Sequence, residues 1–326
     1  MAFWAGILAV FLYAVWPWLP GQRGTARTVV VYGFSILGEV MNTRIFPAFQ
    51  EEWQKQTGEH VEMISAFAGS GTVTHQIEMG VPAQVAILAT GLDAQTLIDQ
   101  RLATLEGLPQ QGVVNRTPFV ILTRPGNPRG LRDFDDLAEQ NVAIVHPDPL
   151  TSGGAQWAVL AEYAAALYTG HTPEQAVDRM KKIWSHVVSQ ASSAQSARTQ
   201  FQSGLGDALI TYEQDLLRDL KKGRLQGEIV YPVSTILSEH TVVVVPRNIS
   251  PRDRPLVDAF ARFLWSPRAQ QLFAEAGFRS VDEHYNLGFR AIERPFTIQD
   301  LGGWPRARTE IIEEIWKKQV LAVLGK

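Results

Sequence analysis

Thr117-Pro118-Phe119-Val120-Ile121-Leu122-Thr123 and, about 120 residues downstream, Thr241-Val242-Val243-Val244-Val245-Pro246 are two apolar strand-like runs of similar character. Their placement decides the architecture. Read as the two crossings of one hinge, they divide the chain into one lobe built from 28–116 plus 237–326 and a second built from 117–236, with a ligand held in the cleft between them. Read on pattern alone, they are two ordinary buried strands, and both readings stay open at this point.

Around these runs the chain alternates short apolar strands with amphipathic helices. Val29–Tyr32, Val61–Phe67, Val85–Leu88, Val142–Val145 and Ala208–Thr211 are strand-like. Helical patterns cover Ala48–Gln56, Thr72–Met79, Ala155–Tyr168, Pro173–His186, Pro251–Leu264 and Pro267–Ala276, several with Pro in the first turn and Gly after the last. Such alternation predicts an α/β fold. The 326 residues, 45% hydrophobic and 19% charged, are enough for about two domains with their own cores.

A balance of 30 basic against 33 acidic side chains argues against a nucleic-acid partner, because phosphate-driven binding needs a basic surface. With no cysteine in the chain, thiolate zinc sites, iron–sulfur clusters, thiol catalysis and disulfides are excluded. The G-x-S-x-G, P-loop, G-x-G-x-x-G and H-E-x-x-H motifs are all missing, and the seven His are scattered. No enzyme, metal or cofactor is therefore expected. Two small-residue turns remain, each after a strand and opening a helix: Gly69-Ser70-Gly71-Thr72 and Thr151-Ser152-Gly153-Gly154-Ala155. Helix-start N–H groups lack an internal partner and sit at the positive end of the dipole, so such turns suit an anion. Glycine permits close backbone approach or a positive φ, and serine adds an uncharged donor. An N-cap and a tight turn explain the same residues structurally.

The chain resembles the sulfate-binding proteins, extracytoplasmic receptors of ABC importers, over nearly its whole length. The resemblance rests on Trp53-Gln54-Lys55-Gln56-Thr57-Gly58, Gly69-Ser70-Gly71, Arg124-Pro125-Gly126-Asn127-Pro128, Ser152-Gly153-Gly154-Ala155-Gln156-Trp157 and the run Gly204 to Glu213. It continues through Ser266-Pro267-Arg268-Ala269-Gln270, Phe296-Thr297-Ile298 and Gly302-Gly303-Trp304. It implies a type II periplasmic-binding-protein clam-shell, monomeric, that holds a dehydrated tetrahedral dianion by neutral donors and delivers it to a membrane permease. The donors it implies are Ser70, Gly71, Ser152, Gly153 and Gly154. Three positions depart from the family. Gln156 replaces an Arg, Tyr212 replaces a Trp whose indole donates to the anion, and Phe34-Ser35-Ile36 replaces a Tyr-Asp pair. The loop Ser192-Ser193-Ala194-Gln195-Ser196 replaces a Gly-rich one, leaving Ser193 as a backbone donor, and Ser35 joins the candidate ligand residues.

Sulfate carries no proton at neutral pH and phosphate does, so phosphate selectivity requires an acceptor; hydroxyls, which do both, leave the choice open. Sulfate stands first, with thiosulfate, molybdate, phosphate and organic sulfonates or phosphonates behind it. The first 22 residues carry no charged side chain, and Phe3–Pro20 would span about 27 Å as a helix. A secretory signal ending near Gly24-Thr25-Ala26, with a mature chain from Arg27, or an uncleaved anchor are the two expectations. An anchor would fit a membrane-tethered anion sensor. A secreted esterase is the other reading, and it would need an acid–base pair near the cleft.

Overall fold

The structure, a computed structural model, describes residues 27–139 and 141–322. The apolar segment 3–20 and its candidate cleavage site lie outside the described residues. Strands β1 (Arg27–Phe34), β2 (Val61–Ala68) and β3 (Val85–Leu88) pair in parallel, with β1 in the middle. On the far side of the sheet, β5 (Ile144–Pro147) pairs in parallel with β6 (Val187–Ala191) and β7 (Ala208–Tyr212). Two long antiparallel strands, β4 (Val113–Thr123) and β9 (Ser234–Val244), join the halves in the order β2-β1-β3-β9-β4-β7-β5-β6.

The apolar runs Thr117–Thr123 and Thr241–Val245 thus lie in or at the end of neighbouring strands, and β4 pairs into both halves. Between Val113 and Pro118, β4 pairs with β9, with β10 (Arg279–Ser280) along Asn115 and Arg116; from Phe119 to Thr123 it pairs instead with β7, with β8 (Glu228–Val230) along Ile121–Thr123. The β9 segment Thr241–Val244 pairs with β3, and its start, Ser234–Ile236, with β11 (Arg294–Phe296). Proline has no N–H for a ladder and belongs where pairing is interrupted. Pro118 sits at the partner switch. Side chains complete the hydrogen bonding there: Ser238 donates to the Thr117 carbonyl at 2.7 Å, Thr235 to the Phe119 carbonyl at 2.8 Å, and the Gln214 N–H to the Thr117 hydroxyl at 3.1 Å. The chain is therefore two α/β lobes joined through crossing strands.

Helices follow the parallel strands. They are α1 (Phe46–Thr57), α2 (Ser70–Glu78), α3 (Gly91–Asp99), α4 (Phe134–Glu139), α5 (Gly153–Tyr168), α6 (Pro173–Ser185), α7 (Ala194–Gln202) and α8 (Glu213–Lys221). After β9 come α9 (Arg254–Phe263) and α10 (Pro267–Glu275). The helix predicted from Pro251 begins three residues late, because the Ser250 carbonyl first closes a turn onto the Asp253 and Arg254 amides. α5 is apolar on all sides and is buried through most of its length. The C-terminal helix α11 (Ala307–Leu321), π-helical along this span, lies on α5 and α6, with buried Trp316 edge-on to Trp184, ring centroids 5.2 Å apart. Among the described residues no helix is long and apolar enough to cross a membrane.

Candidate functional site

Helices α2, α3, α5, α7 and α8 each begin just past the C-terminal end of a parallel strand: β2, β3, β5, β6 and β7 respectively. In open α/β sheets that edge is where ligands bind. Here the edges of the two halves face each other closely. A methyl on Gly69 would fall inside the shell of the Thr151 carbonyl oxygen and 2.8 Å from that of Ser192; one on Gly153 would sit 3.1 Å from the Ser70 Cβ and 2.9 Å from the Ala89 Cβ. A methyl on Gly154 would lie 2.7 Å from the Tyr212 hydroxyl oxygen. Only glycine permits these approaches. Gly154 has no left-handed backbone, so close contact alone explains it and positive φ does not. The Trp157 indole completes the junction by donating to the Ala89 carbonyl at 2.5 Å.

The helix ladders start late enough to leave donors facing this junction. In α2 the first bond is from the Val73 N–H to the Gly69 carbonyl; in α5 it is from Ala155 to Ser152, and in α7 the Ala197 N–H reaches Ser193. The amides of Ser70, Gly71, Gly153, Gly154 and Ala194 precede these bonds, where a helix has no acceptor of its own. Of the predicted hydroxyls, that of Ser152 makes no capping bond although the residue is 3% exposed. The Ser70 hydroxyl is committed. It accepts the Ala89 N–H at 2.9 Å and donates to Asp93 at 2.6 Å, so Ser70 offers its amide and not its side chain. Ser193 caps α7 by accepting the Ser196 N–H at 3.1 Å.

Tyr212 is 1% exposed and ends β7 at the start of α8. Its ring is held by Phe119 at 4.6 Å and by His240 at 5.7 Å, and among the described residues its hydroxyl has no hydrogen-bond partner. Burial pushes the phenol well above its ordinary range, so it stays a neutral donor. A buried unpaired hydroxyl beside a helix start is an open request for a ligand. Ser35, half-buried, opens a turn whose other two residues, Ile36 and Leu37, are buried and which packs against α7; its neighbour Phe34 makes the ring contacts, 6.1 Å from Tyr212 and 4.3 Å from His240.

Two residues of the site escape sequence reading. Asp93 is buried at the third position of α3, where Thr90 caps its amide at 3.0 Å, and burial raises its carboxyl pKa. The Thr90-x-x-Asp93 capping spacing was the available signal. His240 in β9 carried none. Its Nδ1 meets the Asn115 Oδ1 at 2.5 Å, and desolvation lowers its pKa to about 3. Glu213 and Asp207 are structural: Glu213 pairs with Arg279 at 2.8 Å, while Asp207 meets Arg129 at 3.2 Å and the Ala143 N–H at 3.0 Å.

The arrangement presents converging neutral donors with charge held behind them. The buried Arg198 guanidinium, for instance, is already paired through Nη1 with Asp215 at 2.9 Å and Asp219 at 3.0 Å. Comparison with known proteins points the same way. Residues 37–279 match the bacterial extracellular solute-binding protein family model. A sulfate-binding protein of Synechococcus elongatus is 32% identical, covering 89% of this chain and 85% of its own. A thiosulfate-binding protein of Pseudomonas aeruginosa is 28% identical, covering 77% of this chain and 80% of its own. The structure of the sulfate-binding protein SubI from Mycobacterium tuberculosis superposes with a TM-score of 0.79 at 26% identity, covering 87% of this chain and 99% of that one. Two lobes on crossing strands, with helix starts facing across the cleft, make this a type II periplasmic-binding-protein fold, and the chain belongs to the sulfate-binding protein family of bacterial extracellular solute-binding proteins.

Proposed function

We propose that this protein is an extracytoplasmic receptor that captures a tetrahedral oxyanion, sulfate first, and delivers it to the permease of an ABC importer. The observation that carries the ligand class is the Tyr212 hydroxyl, without a hydrogen-bond partner among the described residues and buried beside Gly154 where the α5 amides begin. Helix-start amides stabilise a dianion without a protein counter-charge, and they do so most strongly where water is excluded. Amides donate and cannot accept, which favours a fully deprotonated anion such as sulfate. The Ser152 hydroxyl and the amides of Ser70, Gly71, Gly153, Gly154 and Ala194 share the load, with Tyr212 standing where the relatives use an indole.

Lobe I comprises 28–116 and the return from 237, and lobe II comprises 117–236, hinged at the partner switch beside Pro118. The C-terminal helix, counted with lobe I by its place in the chain, rests on α5 and α6 of lobe II and so ties the two together. The protein works as a monomer, exported by its apolar leader or held at the membrane by it. Calorimetric titration of the purified protein with sulfate, thiosulfate, molybdate, phosphate and a small sulfonate tests the reading. One sulfate per chain, bound more tightly than the others, is the expected result. Binding of a neutral sugar or amino acid and of no oxyanion would overturn it.

A further inference from the structure

A cavity of about 160 Å³ opens where α3, the segment before α5 and the C-terminal helix meet; Asp93, Leu150, Gln156, Arg308, Glu313 and Lys317 are among its lining residues. Three features of it are unbalanced. The Gln156 Oε1 is buried and has no donor among the described residues, although the amide nitrogen of the same side chain donates to the Pro149 carbonyl at 3.2 Å. Asp93 is a buried carboxylate held by the Ser70 hydroxyl, whose residue abuts Gly153. At the start of α11 and along it, the neighbouring cations are paired: Arg306 with Glu310, Lys317 with Glu313 and Lys318 with Glu314. Arg308 alone of these four has no carboxylate partner among the described residues, and it faces the cavity.

We infer that Arg308 is a positioning residue of the oxyanion site: its guanidinium turns into this cavity, donates to the Gln156 Oε1 and offsets the Asp93 carboxylate as the anion's charge arrives. The inference rests on the oxyanion reading above and deepens it. A dianion seated at the Ser70 and Gly153 amides brings like charge toward Asp93, and a nearby cation is what makes that arrangement tolerable. One guanidinium then joins a lobe I helix, the start of α5 and the C-terminal helix. Burial raises the Asp93 pKa, hydrogen bonds from Ser70 and Thr90 oppose that, and Arg308 opposes it further. The other groups facing Asp93 do not duplicate this. Tyr212 of β7 is neutral, Glu313 and Lys317 neutralise each other, and α2 and the first turn of α5 bring only Ser70 and Gln156.

Arg308 is exposed, so Arg308→Gln and Arg308→Lys should both fold. Sulfate titrations of the full chain should show Arg308→Gln weakened roughly fivefold to twentyfold near neutral pH, with Arg308→Lys recovering part of the loss. The deficit should shrink once the pH is low enough to protonate Asp93, whose pKa burial raises above the ordinary carboxylate value, because a neutral Asp93 no longer repels the anion. Adding Arg308→Gln to Asp93→Asn should then cost little more. Carbon-13 resonances of the Asp93 carboxyl, read without ligand, should titrate at higher pH in Arg308→Gln than in the parent. Parent-like sulfate affinity in Arg308→Gln, or an unshifted Asp93 titration, would overturn the inference. If the parent binds no oxyanion the function reading fails instead, and the ligand-free titration still judges Arg308.

Discussion

Replacing Tyr212 by Phe separates a ligand donor from a packing residue, because the two roles predict opposite signs. The ring is wedged between Phe119, Phe34 and His240, and Phe preserves all three contacts. Only the hydroxyl goes, from a residue 1% exposed, and among the described residues that hydroxyl has no hydrogen-bond partner. A buried unsatisfied hydroxyl costs about 1–3 kcal/mol, so the unliganded variant should gain stability, about 1–2 kcal/mol and roughly 2–4 °C in Tm for a chain of this length. With the anion bound, the same hydroxyl makes a charge-assisted hydrogen bond valued at about 1.5–3 kcal/mol. Its loss should raise the sulfate Kd roughly tenfold to 150-fold. Differential scanning calorimetry without ligand and isothermal titration with sulfate read the two quantities separately. A lower unliganded Tm together with an unchanged Kd would show that Tyr212 only packs, and would remove the chief support for a donor set with tyrosine in place of indole.

Gly69→Ala should block closure, since its methyl meets backbone oxygens of Thr151 and Ser192 on the opposite lobe; small-angle scattering should lose its ligand-induced compaction and the sulfate Kd should rise at least about tenfold, with the unliganded Tm little changed. Gly154→Val must push the Tyr212 hydroxyl aside within a wedged ring, so an overpacking cost of about 1–3 kcal/mol should appear as a lower Tm along with weaker binding. His240 supplies an acid sensitivity. Its folded pKa of about 3 lies below the ordinary 6.5, so the unfolded chain takes up a proton that the folded one refuses, and stability falls as pH drops from about 6.5 toward 3. Urea midpoints measured across that range should fall less steeply in His240→Gln; equal slopes would show that other groups govern acid unfolding.

Much of the scaffold was legible because local periodicity reports burial directly. The strand at Val85–Leu88 was read with its observed limits, and the helices Pro173–Ser185 and Pro267–Glu275 to within a residue, since Pro opens both and Gly277 closes the second. Helix α7 escaped because Ala194–Gln202 has few apolar residues, and its buried face includes Arg198, whose burial depends on Asp215 and Asp219 of another helix. Pairing of that kind cannot be seen in a window of sequence.

For the site, sequence by itself determined the donor-bearing turns, Gly69-Ser70-Gly71 and Ser152-Gly153-Gly154, since small residues after a strand and before a helix leave amides free wherever the rest of the chain lies. Only the tertiary structure decided what each side chain does there. Ser70 and Ser152 look equivalent in sequence, yet one hydroxyl is bound to Asp93 and the Ala89 amide while the other makes no cap bond. Likewise Tyr212 and His240, their rings 5.7 Å apart, meet because β7 and β9 both flank β4 and carry them together from positions far apart in the chain. A backbone donor belongs to its own turn, whereas a side chain's role is set by whichever buried group reaches it first, and that partner is chosen by the packing of distant segments.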